Sequence, residues 1–196
     1  MPASYSVRFY RGDYEDRQRA ANQDGCIVYV EQHFNCSDDP ADHKTRALVA
    51  DNASQRSREL ARCYAHAVAA AFGTELGGHD GVMVLSVGDR GIGNIEKTAM
   101  PATLLEPLYV SNPRQAAWIR SEEGQDLLAK ALVESLRQCF PEGGLVGFSV
   151  GHKYKASSPG DRGAPLVNDT EGGHGGEEAD YAEQVLLRAE ALLTQT

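Results

Sequence analysis

The sequence predicts an α/β protein with a mostly parallel central sheet flanked by helices. Three observations carry this. Residues 26–30, 102–105 and 145–150 are short, continuous apolar runs, the pattern of strands buried on both faces. Stretches with apolar residues at helical spacing alternate with these runs. At the start of the chain, strand, helix and strand signals follow one another within about 25 residues, a βαβ pattern that implies parallel strands.

The elements follow in order. Residues 7–10 alternate as a half-buried strand, and a helix over 14–22 ends at Gly25. The run 26–30 is the next strand, 36–46 is turn-like, and 47–50 is another short strand. Asn52 to Ser54 offers helix N-caps, after which Leu60, Tyr64, Ala67, Val68, Ala71 and Phe72 recur at helical spacing up to Gly73. A glycine-rich region, 73–94, surrounds one strand at 82–87. After the strand 102–105, Pro113 opens a short helix carrying Trp118 and Ile119 on its inner face. A longer helix over 125–139 presents Leu128, Leu132, Val133 and Leu136 and is broken by Pro141-Glu142-Gly143-Gly144. The strand 145–150 precedes a Gly-, Pro- and Ser-rich segment, 155–176, that reads as one long loop. The last helix, 178–194, has Tyr181, Ala182, Val185, Leu186, Ala189, Leu192 and Leu193 on one face. No internal repeat is present, and residues 1–196 read as a single domain.

Composition narrows the function. With 19 Lys and Arg against 28 Asp and Glu, the formal net charge is −9, which excludes a general nucleic-acid binder and argues against attachment to anionic lipid by charge. No apolar run approaches the roughly 20 residues of a transmembrane segment, and residues 1–6 show no export signal. Cys26, Cys36, Cys63 and Cys139 are scattered without a C-x-x-C pair and read as reduced thiols.

Chemistry-bearing residues gather where strands end, the usual place for sites in open α/β sheets. The strand 26–30 runs into Glu31, Gln32 and His33, the strand 102–105 into Glu106, and the strand 145–150 into Gly151 and His152. Glu178, in register with Tyr181, Ala182 and Val185, points from the first turn of the last helix toward the sheet. Two histidines and a glutamate form a catalytic zinc set that leaves one position for water, and Glu106 suits the role of proton acceptor.

The segment 100–112, MPATLLEPLYVSN, resembles the P-A-x-L-x-E-x-G-F-x-S-N signature of the zinc-dependent N-acetylmuramoyl-L-alanine amidases of the amidase-3 family. Upstream, Tyr10 to Asp13, Arg17 to Asn22 and Glu31 to Asn35 resemble that family's R-x-x-D, R-x-x-x-A-N and S-I-H-x-N blocks. The strand ending in histidine and the helix opening with glutamate, which come first in the family, stand last here. The resemblance therefore implies a circularly permuted amidase domain. Residues 1–140 match the family's second strand through its C-terminal helix, and 145–196 match its first strand and helix. It further implies one Zn2+ ion held by His33, His152 and Glu178, with Glu106 as the catalytic glutamate. The expected reaction is hydrolysis of the amide between N-acetylmuramic acid and L-alanine in peptidoglycan, the expected partner.

Several points qualify the match. Gly173-His174-Gly175-Gly176 spells the family's G-H-G-G, yet no apolar strand leads into it, so His152 is preferred to His174. Glu177 is the neighbouring alternative to Glu178, and Cys36 a weaker ligand candidate. His43, His66 and His79 match no motif. Glu31 replaces the family's serine and shares a strand face with His33; it either orients that ligand or is an ordinary strand-end acid. The competing functions are another zinc peptidase or amidohydrolase on the same scaffold and a non-catalytic wall-binding domain. A wall substrate implies action outside the cytoplasmic membrane or release as a phage-type lysin. The length is that of a bare catalytic domain, and the charge of −9 leaves recognition to the cleft.

Overall fold

The computed structural model describes residues 3–167 and 174–195. Its elements, in chain order, are β1 (Tyr5–Tyr10), α1 (Tyr14–Asp24), β2 (Val28–Gln32), β3 (Arg46–Ala50), α2 (Gln55–Phe72), β4 (Val82–Leu85), β5 (Ala102–Glu106), α3 (Pro113–Arg120), α4 (Glu122–Cys139), β6 (Gly144–Val150), β7 (Pro165–Val167), β8 (His174–Glu177) and α5 (Glu178–Thr194). A 3-10 turn, Ile92–Asn94, lies between β4 and β5.

Six strands form one sheet in the order β1-β6-β2-β5-β3-β4. The first four are mutually parallel, β3 runs antiparallel to β5, and β4 is parallel to β3. The fold class read from the sequence therefore holds. The opening strands β1 and β2 do run parallel, but β6, from late in the chain, lies between them.

Side-chain alternation divides the sheet into two faces. On one face Val28, Val30, Ala47, Val49, Leu105, Val146 and Phe148 pack in the large core with the apolar stripes of α2, α4 and α5, including Leu60, Leu132 and Val185. On the other, Tyr10, Tyr29, Leu48 and Leu104 pack with Ala21 of α1 and with Ile92 and Ile95 around the 3-10 turn. Helix boundaries follow local chemistry. The Ser54 side chain accepts from Ser57 N, Asn112 from Gln115 N and Ser121 from Gly124 N, satisfying amides that lack intrahelical partners. Gly25 and Gly73 end α1 and α2 in the left-handed conformation.

The segment 155–176 differs from the long loop its composition predicts. It holds β7 and β8, which pair antiparallel. No local apolar period announces them, because they are held by distant partners. Leu166 is buried in the main core, Val167 N donates to Val110 O at 3.0 Å, and Arg120 donates to Val167 O at 2.6 Å. Residues 168–173 fall outside the described residues, as does the His174 side chain, and the comparison of Gly173-His174-Gly175-Gly176 with His152 falls there too. Among the described residues, no helix is long and apolar enough to cross a membrane.

Candidate active site

Because β2, β5 and β6 are parallel, their carboxyl ends lie at one edge of the sheet. Gln32 of β2 registers with Leu105 and with Val150, so His33, Glu106 and the Gly151-His152 pair all emerge there. His33 is fixed to that edge by its own amide, which donates to Leu105 O at 2.9 Å. Glu178 arrives from the opposite direction. It opens α5, whose first amides donate to the loop carbonyls of Ala164 and Arg162. Glu178 is buried, at 3% exposure, whereas Glu177 is exposed.

The side chains of His33, His152 and Glu178 converge, with one ligand atom from each lying within 4.8 Å of the others. Glu178 Oε1 is 3.1 Å from His33 Nδ1 and 3.5 Å from His152 Nε2. The same carboxylate accepts from Phe34 N at 3.0 Å and from Ala164 N at 3.2 Å. The far nitrogen of each imidazole faces another carboxylate: His33 Nε2 meets Glu31 Oε1 at 2.7 Å, and His152 Nδ1 meets Asp161 Oδ1 at 2.9 Å. Each histidine thus turns one nitrogen toward Glu178 and is held by the other.

Two glycines allow this crowding. A Cβ on Gly151 would strike the His33 ring, and one on Gly163, whose φ is +77°, would lie 2.5 Å from Glu178 Oε2. His152 itself adopts a φ of 62°, in the left-handed region that few non-glycine residues enter. The His33 and His152 rings meet edge to face with centroids 4.9 Å apart.

Burial would lower the His33 pKa, but hydrogen bonds to Glu178 and Glu31 push it up to about 10. Burial would raise Glu178, and its histidine partners hold it below the ordinary glutamate value. The cluster therefore favours a positive charge among its donors. Two imidazole nitrogens and a carboxylate at this spacing, each with an orienting partner, could hold a metal ion.

The cluster opens into a cleft of about 530 Å3, which is also lined by Glu106, Arg46, Asn94, Arg90 and Asp161. Burial raises the Glu106 pKa, while His33 and Arg46 pull it down. Arg46 donates to the Tyr109 hydroxyl, and among the described residues its Nε has no hydrogen-bond partner. Cys36 is exposed on the cleft wall and stands outside the donor cluster. His43, His66 and His79 lie elsewhere, His66 pairing with Asp80 at 2.7 Å.

Neither Asp161 nor Arg46 is announced by a motif or a period. Asp161 sits in a segment without periodicity, and Arg46 was masked by a polar turn beside a short strand. Asn94 was equally hidden, since the 3-10 turn that carries it lies in a glycine-rich stretch.

Residues 4–138 match the family described as N-acetylmuramoyl-L-alanine amidase. The chain belongs to this family. Solved structures of amidases share the fold. The catalytic domain of CwlV, an N-acetylmuramoyl-L-alanine amidase from Bacillus (Paenibacillus) polymyxa var. colistinus, is 24% identical, with a TM-score of 0.52 over 64% of each chain. The N-acetylmuramoyl-L-alanine amidase of Clostridium difficile 630 is 22% identical, with a TM-score of 0.54 over 64% of each chain. The amidase Ami1 of Mycobacterium smegmatis is 21% identical, with a TM-score of 0.56 over 64% of this chain and 59% of that one. The chain thus spans somewhat less than two thirds of each of these relatives. No curated protein matches it.

Proposed function

We propose that the chain is a zinc-dependent amidase that hydrolyses the bond between N-acetylmuramic acid and L-alanine in peptidoglycan. The observation that carries this reading is the convergence of His33, His152 and Glu178, in a cleft lined by Glu106, in a chain of the amidase family. His33, His152 and Glu178 would hold the ion. When bound, zinc supplies Lewis-acid chemistry, polarising the scissile carbonyl and acidifying water.

The rest of the work falls to the chain's own residues. Glu106, its carboxylate made more basic by burial, takes a proton from the attacking water. It returns that proton to the L-alanine nitrogen as the carbon–nitrogen bond breaks, so the acid-base group ends as it began. Arg46 Nε and Asn35 Nδ2 are both buried donors without a partner among the described residues, and both residues line the cleft. A shift of either side chain toward the cleft would let it donate to a substrate carbonyl or carboxylate oxygen.

Digestion of purified peptidoglycan in the presence of zinc tests the reading. The expected products are peptides with a free L-alanine amino terminus and glycan with unsubstituted lactyl groups, and a chelator should abolish their formation. Glu106→Gln should keep the metal but lose about a hundredfold to ten-thousandfold in turnover. His33→Ala should lose the metal. Cleavage of another amide would move the reading to a different peptidase on this scaffold, and wild-type turnover by either variant would overturn the residue roles.

We infer in addition that the domain is circularly permuted relative to its family. Two features support this. The family match ends at residue 138, ahead of β6 and α5, the elements that lead into His152 and open with Glu178. In the order β6, α5, β1, moreover, these elements make a βαβ unit of neighbouring parallel strands, with α5 packed on both.

A further inference from the structure

Glu31 is the most completely enclosed acid near the candidate metal centre, and the reaction proposed above gives it no task. It lies on β2 with 0% exposure, two residues before His33 and on the same face. An ionised carboxylate in that position is costly unless its lone pairs are used. They are used fully. Oε1 faces His33 Nε2 at 2.7 Å and accepts from Asn94 Nδ2 at 2.6 Å. Oε2 accepts from Ser149 Oγ at 2.9 Å and from the Tyr29 hydroxyl at 3.3 Å.

These donors come from three separate parts of the fold: β2 itself, β6 and the 3-10 turn. Behind them stands Arg17, also with 0% exposure, which donates to Ser149 Oγ at 2.8 Å and to Val150 O at 2.8 Å. The carboxylate is therefore held by four partners, and Ser149 links it to the buried guanidinium of Arg17. Of its partners, only His33 belongs to the donor cluster.

We propose that Glu31 is a positioning residue for the metal site: it takes the Nε2 proton of His33 in a hydrogen bond, fixing the tautomer that presents Nδ1 to the ion and making that nitrogen a stronger donor. The inference rests on the zinc reading above. A negative charge on the far side of a ligating imidazole raises its basicity, and losing such a partner typically lowers metal affinity about 10- to 100-fold. Nδ1, the nitrogen this leaves free of a proton, is the one turned toward the cluster, 3.1 Å from Glu178 Oε1.

Zinc binding to the metal-free protein, measured by competition with a chromophoric chelator, tests this without any substrate. Glu31→Gln keeps the volume and an acceptor oxygen but removes the charge. Glu31→Leu removes both. Both variants should bind zinc more weakly than the wild type, the leucine variant by about 100-fold and the glutamine variant by about 10-fold. The d–d absorption bands of Co2+ bound in place of zinc should shift in Glu31→Gln, because its imidazole ligand has become a weaker donor. Circular dichroism identifies a variant that does not fold, and should Glu31→Leu be one, Glu31→Gln decides. Wild-type zinc affinity and unchanged cobalt bands in a folded Glu31→Gln would overturn the proposal and leave Glu31 a structural hub. Failure of the wild-type protein itself to bind zinc would overturn the zinc reading, a separate outcome.

Discussion

At the scale of single residues, Glu106 is held between opposing influences. Burial raises its pKa, whereas the charges of His33 and Arg46 lower it. A proton acceptor works only when ionised, so activity should fall on the acid side as Glu106 becomes protonated. Arg46→Ala removes one of the cations that keep Glu106 ionised, and the acid limb of kcat/KM should therefore move to higher pH. Arg46→Lys, which keeps the charge, should leave the limb near its wild-type place. A limb that stays put or moves down in Arg46→Ala would show that Arg46 does not set the state of Glu106. How far such residues could be read from the sequence depended on whether a local period carried them. Strand alternation alone placed Glu31 on the face of His33, and the first-turn register placed Glu178 inward. Arg46 and Asp161 act through contacts with no short-range pattern, and only the folded chain reveals them.

Among elements, the strands and helices were legible because each carries its own period, and the boundaries were legible where a cap or a left-handed glycine stands. α5 occupies the residues its apolar stripe predicts, 178–194. Sheet order was not legible, since parallel pairing of β6 between β1 and β2 joins residues more than 100 apart. The segment between β6 and α5 was the least legible element, yet it completes the site, because Gly163 lies against Glu178 and His152. Gly163→Ala therefore tests whether this loop helps to shape the donor cluster. The substitution meets both a φ of +77° and a contact of 2.5 Å with Glu178 Oε2. It should cost about 1 kcal/mol or more of stability and weaken zinc binding by about tenfold or more. Gly160→Ala, in the same segment but with open space around it, should change neither. Equal zinc affinity in the two variants, measured by chelator competition, would remove the loop from the site.

For the whole molecule, the order of elements along the chain and their order in space are separate properties, and the permutation reading turns on that difference. Both ends of the described chain pack near the close of α4. The Tyr5 hydroxyl donates to Phe140 O at 2.7 Å, and Arg137 donates to Leu192 O at 2.9 Å. The turn that joins α4 to β6 is exposed at Pro141 and Glu142. A rearranged chain can therefore be opened between Glu142 and Gly143 and closed from residue 195 to residue 3 by a flexible linker of about six residues. Such a chain would begin with β6 and α5, the order the family resemblance implies. What it gives up is small. The Arg56–Glu142 ion pair at this turn is half exposed on both sides, and such pairs contribute about 0–1 kcal/mol. All partners of His33, His152 and Glu178 remain in place, because none of them is supplied by the turn that is opened. The rearranged chain should therefore fold cooperatively, with a circular dichroism spectrum like that of the original order, and bind zinc with an affinity within about threefold of it. A chain that stays unfolded, or folds without binding zinc, would mean that the α4–β6 connection is itself needed to bring His152 to the site, and the permutation reading would fall.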